Sequence, residues 1–157
     1  MCLGISVSWR VLSDELIERH ALQAQIFTRG PDADREVHFL YRAPRPRLPV
    51  WRDYVLDVMT WGNRDDKRSR LPRTGWCRRE SLEAGRWQHL SPQPVLIPAN
   101  FGLAKGVWFH VVEGMEGILV RDERGRPHVY MLTQPSSRYY EVMTNDPRMP
   151  VFVGKEI

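Results

Sequence analysis

Short apolar runs separated by turn residues are the feature of this sequence that most restricts its fold. They are rich in β-branched and aromatic side chains, and glycines and twelve prolines interrupt them. Proline lacks a backbone N–H, so it is mostly confined to strand ends, sheet edges and turns. Signals for helices are fewer. We therefore expect an α+β fold in which residues 1–157 form a single domain, with a curved, mostly antiparallel sheet or barrel-like core and a few short helices.

Three segments carry the signals of helices. Ser13 is followed by acidic residues, a pattern that predicts a helix running to about Gln25. Residues 135–137 carry a second helix-start signal, which predicts a helix that extends through Met143. A shorter helical turn is expected at 81–84, just before a glycine.

The remaining segments predict strands, turns and loops. Residues 42–50 contain three prolines and should be extended, since each proline biases the preceding residue toward β or polyproline geometry. Residues 63–75 are expected to form a loop and residues 30–32 a turn. The apolar runs predict strands at 3–9, 36–41, 53–61, 95–97, 106–112, 118–121, 128–133 and 150–153.

Composition excludes several classes of protein. With 42% hydrophobic residues, a chain of 157 residues can bury a real core. No apolar run approaches the length of a membrane span, and the first residues lack the order of a signal peptide. Two cysteines and five histidines show no metal-ligand spacing. We therefore expect a cytoplasmic protein without membrane contact, metal or cofactor.

Arginine dominates the basic residues and indicates the kind of partner. Of 23 basic residues all but three are arginine, whose planar guanidinium grips phosphate and stacks on bases. Seven basic residues lie between Arg64 and Arg79 against Asp65 and Asp66. Arg42, Arg45 and Arg47 form a second basic cluster. The two clusters are interleaved with Trp51, Tyr54, Trp61 and Trp76, which predicts a groove for single-stranded nucleic acid. Two alternatives are arginine-rich codon usage and a solvated loop beside core tryptophans. The expected binding residues are Arg42, Trp61, Trp76, Arg78, Arg79 and Arg148.

Cys2 has a chemistry that an internal cysteine lacks. When Met1 is removed, Cys2 carries an α-amine of pKa about 7.7–8.0 beside a thiol of pKa about 8.5. This pair can condense with an aldehyde to a Schiff base and then close a thiazolidine ring through sulfur. If Met1 is retained, Cys2 has no free amine and cannot capture an aldehyde. The alternative is that Cys2 is a small apolar residue that opens a strand.

Several stretches, taken in order, resemble the SRAP family, the SOS-response-associated peptidases that shield abasic sites in DNA. Cys2 matches the family's nucleophile at the second position. The other matches span nearly the whole chain: Ala43-Pro44 with Leu48-Pro49-Val50 ("A-P…P-V"), Met59-Thr60-Trp61-Gly62 ("M-x-W-G"), Cys77-Arg78-Arg79-Glu80-Ser81 ("N-A-R-x-E-T" from its second residue), Ile97-Pro98-Ala99-Asn100 ("V-P-A-D") and Arg148-Met149-Pro150-Val151 ("R-M-P-V").

The resemblance implies a function in the response to DNA damage. Its members bind single-stranded DNA, link the N-terminal cysteine to the ring-opened aldehyde of an abasic site, and have autopeptidase and lyase activities. Carried over, Cys2 is the nucleophile and Arg78 the phosphate clamp, whose charge could also lower the pKa of the Cys2 thiol. Glu80 is expected to orient Arg78. The partner would be single-stranded DNA with or without an abasic site, and the protein would associate with the nucleoid when bound. For Arg78 the alternative is an ordinary surface charge.

Departures from the family pattern restrict the expected activity. Trp76 stands where the family has asparagine, and Leu3-Gly4 replaces its Gly-Arg. Residues 101–109 contain no carboxylate where the family has a glutamate, and Asp146 or Asn145 replaces its histidine. Since proton transfer supplies about 10²–10⁴-fold in rate, we expect the autopeptidase and lyase steps to be lost before crosslinking. Asp146 and His110 are candidate replacements, although His110 on an apolar strand is more typical of a core histidine.

Three other functions stay open at this stage. The first is a catalytically degenerate binding module that keeps only the basic groove. The second is a structural or protein-binding role. The third is a thiol peptidase built on Cys77, which the sequence disfavours because no histidine stands at an interpretable spacing from it.

Overall fold

The computed structural model describes residues 1–31 and 33–154, and it confirms the expected α+β fold with a mostly antiparallel sheet and a few short helices. Short 3₁₀ turns occur at Gln23–Gln25 and Gln88–Leu90. The elements, in chain order, are β1 (Gly4–Ser8), α1 (Asp14–Arg19), β2 (Ile26–Thr28), β3 (Arg35–Leu40), β4 (Arg47–Arg52), β5 (Val55–Trp61), β6 (Trp76–Arg78), α2 (Arg79–Glu83), β7 (Gln93–Ile97), β8 (Phe101–Ala104), β9 (Val107–His110), β10 (Met115–Arg121), β11 (Pro127–Pro135), α3 (Arg138–Thr144) and β12 (Arg148–Pro150).

Capping serines begin α1 and α3, as the sequence predicts. The Ser13 hydroxyl accepts a hydrogen bond from the Leu16 amide at 3.1 Å, and the Ser137 hydroxyl accepts one from the Tyr140 amide at 3.2 Å. The predicted end of α1 at Gln25 is wrong. The helix stops at Arg19 because Ala21 adopts a left-handed conformation, with φ of 52°, that no α-helix continues.

Five strands close into a small barrel in the order β7–β4–β5–β11–β10, with β10 pairing back onto β7. The first half of the long strand β11 pairs with β10 and β5, and its second half pairs with β6 and β12. Side chains that alternate inward fill the barrel, and Leu48, Val50, Ile97 and Val129 are fully buried there. Closure leaves these strands without a free edge.

A second antiparallel sheet has the order β2–β3–β1–β8–β9, with the first strand of the chain at its centre. The inward side chains of this sheet, including Ile5 and Phe39, join the same core as the barrel. Gly4 lies opposite Leu40 and Leu103, and a Cβ there would approach the Leu40 Cδ2 atom to 2.5 Å. Position 4 lies on the face of the second sheet that points away from the core, and glycine is required there because no side chain fits.

The sequence missed four strands. β2, β6 and β8 are only three or four residues long, too short to show a period. β4 lies in the proline-rich segment and includes Pro49. On the side of β4 that faces β7, only Trp51 is paired, so no hydrogen bond from a Pro49 N–H is needed there and the proline is tolerated. The predicted turn at 30–32 ends on Asp32, which lies outside the described residues.

Candidate functional site

The beginning of the chain is fixed by contacts from three separate elements. The Met1 amine donates a hydrogen bond to the carboxylate of Asp146, which lies just before β12 and has a side chain only 2% exposed. The Trp76 indole N–H, from β6, donates to the Cys2 carbonyl at 3.0 Å. The Leu3 amide donates to the Leu103 carbonyl of β8 at 2.7 Å. Residues far apart in the sequence therefore converge on the first three residues.

Cys2 is fully buried while Met1 is in place. Its thiol donates to the Gly4 carbonyl at 3.1 Å. Burial raises the pKa of the thiol to about 11, and hydrogen bonds with the Gly4 and Leu103 backbone offset only part of this effect. The expectation that an arginine lowers this pKa is wrong, because desolvation dominates. At neutral pH the thiol is protonated and shielded.

Trp76 supports the start of the chain, and Trp61 supports Trp76. The Trp76 ring lies 4.6 Å from the Tyr41 ring and 6.0 Å from the Trp61 ring, measured between centroids. Trp61 has no exposed surface, and its N–H donates to the Gly75 carbonyl at 2.9 Å. The prediction that Trp61 stacks on a base is therefore corrected: its ring is part of the core.

Arg78 lies on the same face of β6 as Trp76, because alternate residues of a strand point to one side. That face meets the start of the chain. Arg78 is exposed, and within the described residues its guanidinium forms neither a hydrogen bond nor an ion pair. The neighbouring Arg79 differs, since it contacts Glu83 at 3.3 Å and Gln134 at 3.1 Å. Arg78 is thus available for an anion.

Glu80 orients Arg148, which corrects the expected pairing with Arg78. The Arg148 guanidinium donates to both Glu80 carboxylate oxygens, at 2.8 and 3.2 Å, and to the Thr133 carbonyl at 2.9 Å and hydroxyl at 3.1 Å. The hydrogen bonds from Arg148 hold the pKa of Glu80 below its usual value. Arg148, predicted to bind nucleic acid, is instead committed to joining β12, β11 and α2.

The structure separates the two candidate acid–base residues. Asp146 faces the chain start, and its backbone is held by the Ser136 hydroxyl at 2.7 Å. His110 lies opposite Phe101, which in turn lies opposite Ser6. It is therefore about 13 Å beyond Cys2 along the strand direction and about 10 Å across the sheet. His110 is exposed, so it is neither near Cys2 nor a core histidine.

The predicted groove of interleaved tryptophans is wrong. Trp51 pairs with Leu56, five residues or about 17 Å along β5 from Trp61. The fully exposed Tyr54 lies at the same far tip of the hairpin. Arg64 is also structural, since it donates to the carbonyls of the loop that follows β3. In the loop 63–75, the exposed basic residues without an ion pair to a described residue are Lys67, Arg68, Arg70 and Arg73.

A cavity of about 790 Å³ lies beside the chain start, on the outer face of the second sheet. Arg42, a predicted binding residue, lines it, is exposed, and within the described residues makes no side-chain hydrogen bond. The sequence did not indicate the aromatic residues of this cavity, because strand register alone brings them together. The lining residues are Leu3, Phe27, His38, Leu40, Tyr41, Arg42, Arg64, Leu103, Gly106 and Trp108.

The described ranges 1–31 and 33–154 contain no helix long and apolar enough to cross a membrane. In the same ranges, no three histidine, cysteine or acidic side chains are grouped to hold a metal ion.

No protein-family model matches the chain, and no curated protein matches it. The resemblance to the SRAP family therefore stays a prediction from the sequence motifs.

Proposed function

We propose that this protein binds single-stranded DNA and, once Met1 has been removed, captures the aldehyde of an abasic site through Cys2. One observation supports the proposal most strongly. Cys2, Trp76 and Asp146 meet at the chain start, and the unpaired Arg78 lies on the same face of β6 as Trp76. Cys2 and Arg78 match the family motifs, whereas Trp76 stands where the family has asparagine and Asp146 is a candidate replacement for its histidine. The protein would act in the cytoplasm, at the nucleoid when bound to DNA.

Removal of Met1 would supply the nucleophile. Met1 is 43% exposed, and its loss makes the Cys2 α-amine the new N-terminus, one residue along the chain from the amine that Asp146 binds. The Cys2 amine attacks the aldehyde carbon, and the carbinolamine loses water to give a Schiff base. The thiol then adds to the imine carbon and its proton passes to nitrogen, which closes the thiazolidine ring.

The residues around Cys2 would assist different parts of this reaction. Asp146 can take the proton from the Cys2 ammonium and return it to the departing hydroxyl. Arg78 can bind a phosphate beside the abasic sugar. The family's glutamate is not matched and its histidine is replaced, so we propose crosslinking without an efficient autopeptidase or lyase step.

Incubation with abasic single-stranded DNA tests the covalent step. Protein whose intact mass shows the loss of Met1 should form a heat-stable adduct, and Cys2→Ser should form none. Cys77→Ser is the matched control, because Cys77 is the other buried cysteine and its burial raises its thiol pKa to about 12. Loss of the adduct in both variants, or no adduct with a confirmed free Cys2, would contradict the proposal.

A second candidate is a degenerate module that only binds the strand. The full burial of Cys2 and its high thiol pKa favour it. It predicts salt-dependent binding that Cys2→Ser leaves unchanged and Arg78→Ala weakens. The exposed Arg124, at the distant β10–β11 turn, provides the control Arg124→Ala. Binding without any adduct would select this candidate over the first.

A further inference from the structure

We propose that the cavity on the outer face of the second sheet binds an unpaired nucleobase. The base would belong to the nucleotide next to the one held at Cys2, so this inference rests on the proposed function. Among the predicted binding residues, Arg42 alone lines this cavity.

An aromatic row forms one wall of the cavity. The ring centroids of Phe27 and His38 are 4.8 Å apart, and those of His38 and Trp108 are also 4.8 Å apart, with interplanar angles of 37° and 39°. These rings come from β2, β3 and β9. Between β3 and β9 run β1 and β8, and the outward residues of β1, Gly4 and Ser6, are small. The three rings lie too close together to admit a base between them, so a base would stack on the row from the side of the cavity.

The aromatic wall is fixed from beneath by a charged cluster. Glu36 accepts hydrogen bonds from the Ser6 hydroxyl and from Arg29 Nε at 2.6 Å, and His38 Nε2 lies 3.2 Å from the same carboxylate. The Arg29 guanidinium also lies over the Trp108 ring, 5.1 Å from its centroid. His38 and Trp108 are thus held in place without a ligand, which lowers the entropy lost on binding.

Charge and size favour a nucleotide over an apolar ligand. The lining includes no carboxylate, and its exposed Arg42, which makes no side-chain hydrogen bond to a described residue, would meet a phosphate beside the base. A volume of about 790 Å³ falls within the roughly 300–1,000 Å³ of small-molecule sites. Phe27 is 50% exposed, so its ring face is available for stacking.

The cavity is continuous with the chain start. Leu3, which follows Cys2 directly, lines it. So does Tyr41, whose ring packs on Trp76, the residue that holds the Cys2 carbonyl. A strand with one nucleotide at Cys2 would therefore bring its neighbour to the mouth of the cavity.

Fluorescence of 2-aminopurine tests this inference. The base is placed beside a tetrahydrofuran nucleotide in a short oligothymidylate, which has no aldehyde and cannot form an adduct. Wild-type protein should quench the fluorescence by stacking. Phe27→Ala and Trp108→Ala should weaken binding by about 5- to 150-fold, the effect of losing one stacked base. Phe27→Tyr keeps a ring and should retain the quenching.

Tyr139→Ala is the matched control, because Tyr139 is an exposed aromatic residue on α3, outside the cavity. Equal quenching by wild type, Phe27→Ala and Tyr139→Ala would overturn the inference, whatever the adduct assay gives. So would binding of free indole, but not of the oligonucleotide, at this cavity. Quenching by wild type without any adduct on aldehyde-bearing DNA would contradict only the covalent step of the proposed function.

Discussion

At the scale of single residues, Tyr130 and Tyr140 differ in one hydrogen bond. Both are fully buried. The Tyr130 hydroxyl donates to the Pro72 carbonyl at 2.7 Å, whereas the Tyr140 hydroxyl has no partner among the described residues. A buried polar group without a partner is destabilising by about 1–3 kcal/mol, whereas a satisfied one stabilises by about 1 kcal/mol. The two hydroxyls should therefore contribute with opposite signs.

Replacement of each tyrosine by phenylalanine tests this difference. We expect Tyr130→Phe to lower the free energy of unfolding by about 1 kcal/mol, and Tyr140→Phe to leave it unchanged or raise it by up to about 1 kcal/mol. Both variants keep the ring contacts, with Trp87 at 4.9 Å and Phe109 at 5.2 Å. Urea unfolding with an unchanged m-value measures the effect. Equal losses in both variants would mean that the Tyr140 hydroxyl is hydrogen-bonded.

The sequence could predict some of the residues that gather at the chain start, but not what each one does there. Cys2, Trp76 and Asp146 do come together. The sequence could not show which arginine pairs with Glu80. Arg78 and Arg148 are both on strands that pair with β11, and only the register of β6 and β12 against β11 decides which of them reaches Glu80. The high pKa of the Cys2 thiol depends on burial, which a position in the chain does not reveal.

At the scale of elements, the β4–β5 hairpin contains a strained turn. Arg52 pairs with Val55, which leaves a two-residue loop in which Asp53 and Tyr54 have φ of 49° and 66°. Positive φ at both positions defines a type I′ turn, which favours Asn-Gly or Asp-Gly. Tyr54 is fully exposed, so its ring stabilises nothing in the chain.

Tyr54→Gly should therefore raise the free energy of unfolding by about 0.5–1 kcal/mol, because glycine adopts a positive φ without steric penalty. Tyr54→Ala removes the same ring but keeps the Cβ, and it should give no comparable gain. Thermal or urea unfolding of the two variants decides the matter. A gain in the alanine variant equal to that in the glycine variant would show that the ring, not the backbone, is the source of strain.

Elements with strong local signals could be predicted, and those held by long-range pairing could not. Ser13 and Ser137 marked helix starts correctly, since a cap is a local interaction. β6, by contrast, exists because Trp76–Arg78 adds in parallel to β11. The aromatic row of the cavity has the same origin, because the register of the second sheet aligns residues from distant parts of the chain.

At the scale of the whole molecule, closure of the barrel depends on a short seam. β5 and β11 pair in parallel through Thr60–His128 and Trp61–Val129. Gly62 follows the last paired residue of β5. Its amide donates to the Val129 carbonyl at 2.8 Å, and its carbonyl is contacted by His128 Nδ1 at 2.7 Å. The other ring nitrogen of His128 lies 3.0 Å from Asp122. The seam is therefore linked to the β10–β11 turn through one carboxylate.

Asp122 should thus control the acid stability of the whole fold. Burial acts to raise its pKa, but hydrogen bonds from His128 and from Arg126 outweigh burial and hold the pKa far below its usual value near 3.9. A carboxylate with a depressed pKa in the folded state stabilises the fold above its unfolded pKa. That contribution is lost as the pH falls from about 4 toward the folded pKa.

We expect Asp122→Asn to lower the free energy of unfolding by about 2–3 kcal/mol at pH 7, as for lost hydrogen bonds to a charged group. The difference from wild type should persist at pH 5 and shrink between pH 4 and pH 2, as measured by urea unfolding at each pH. Asp34→Asn is the control, because Asp34 is exposed and its ion pair with Arg10 should contribute little. A difference that stays constant down to pH 2 would show that the shape of the Asp122 side chain, and not its charge, closes the seam.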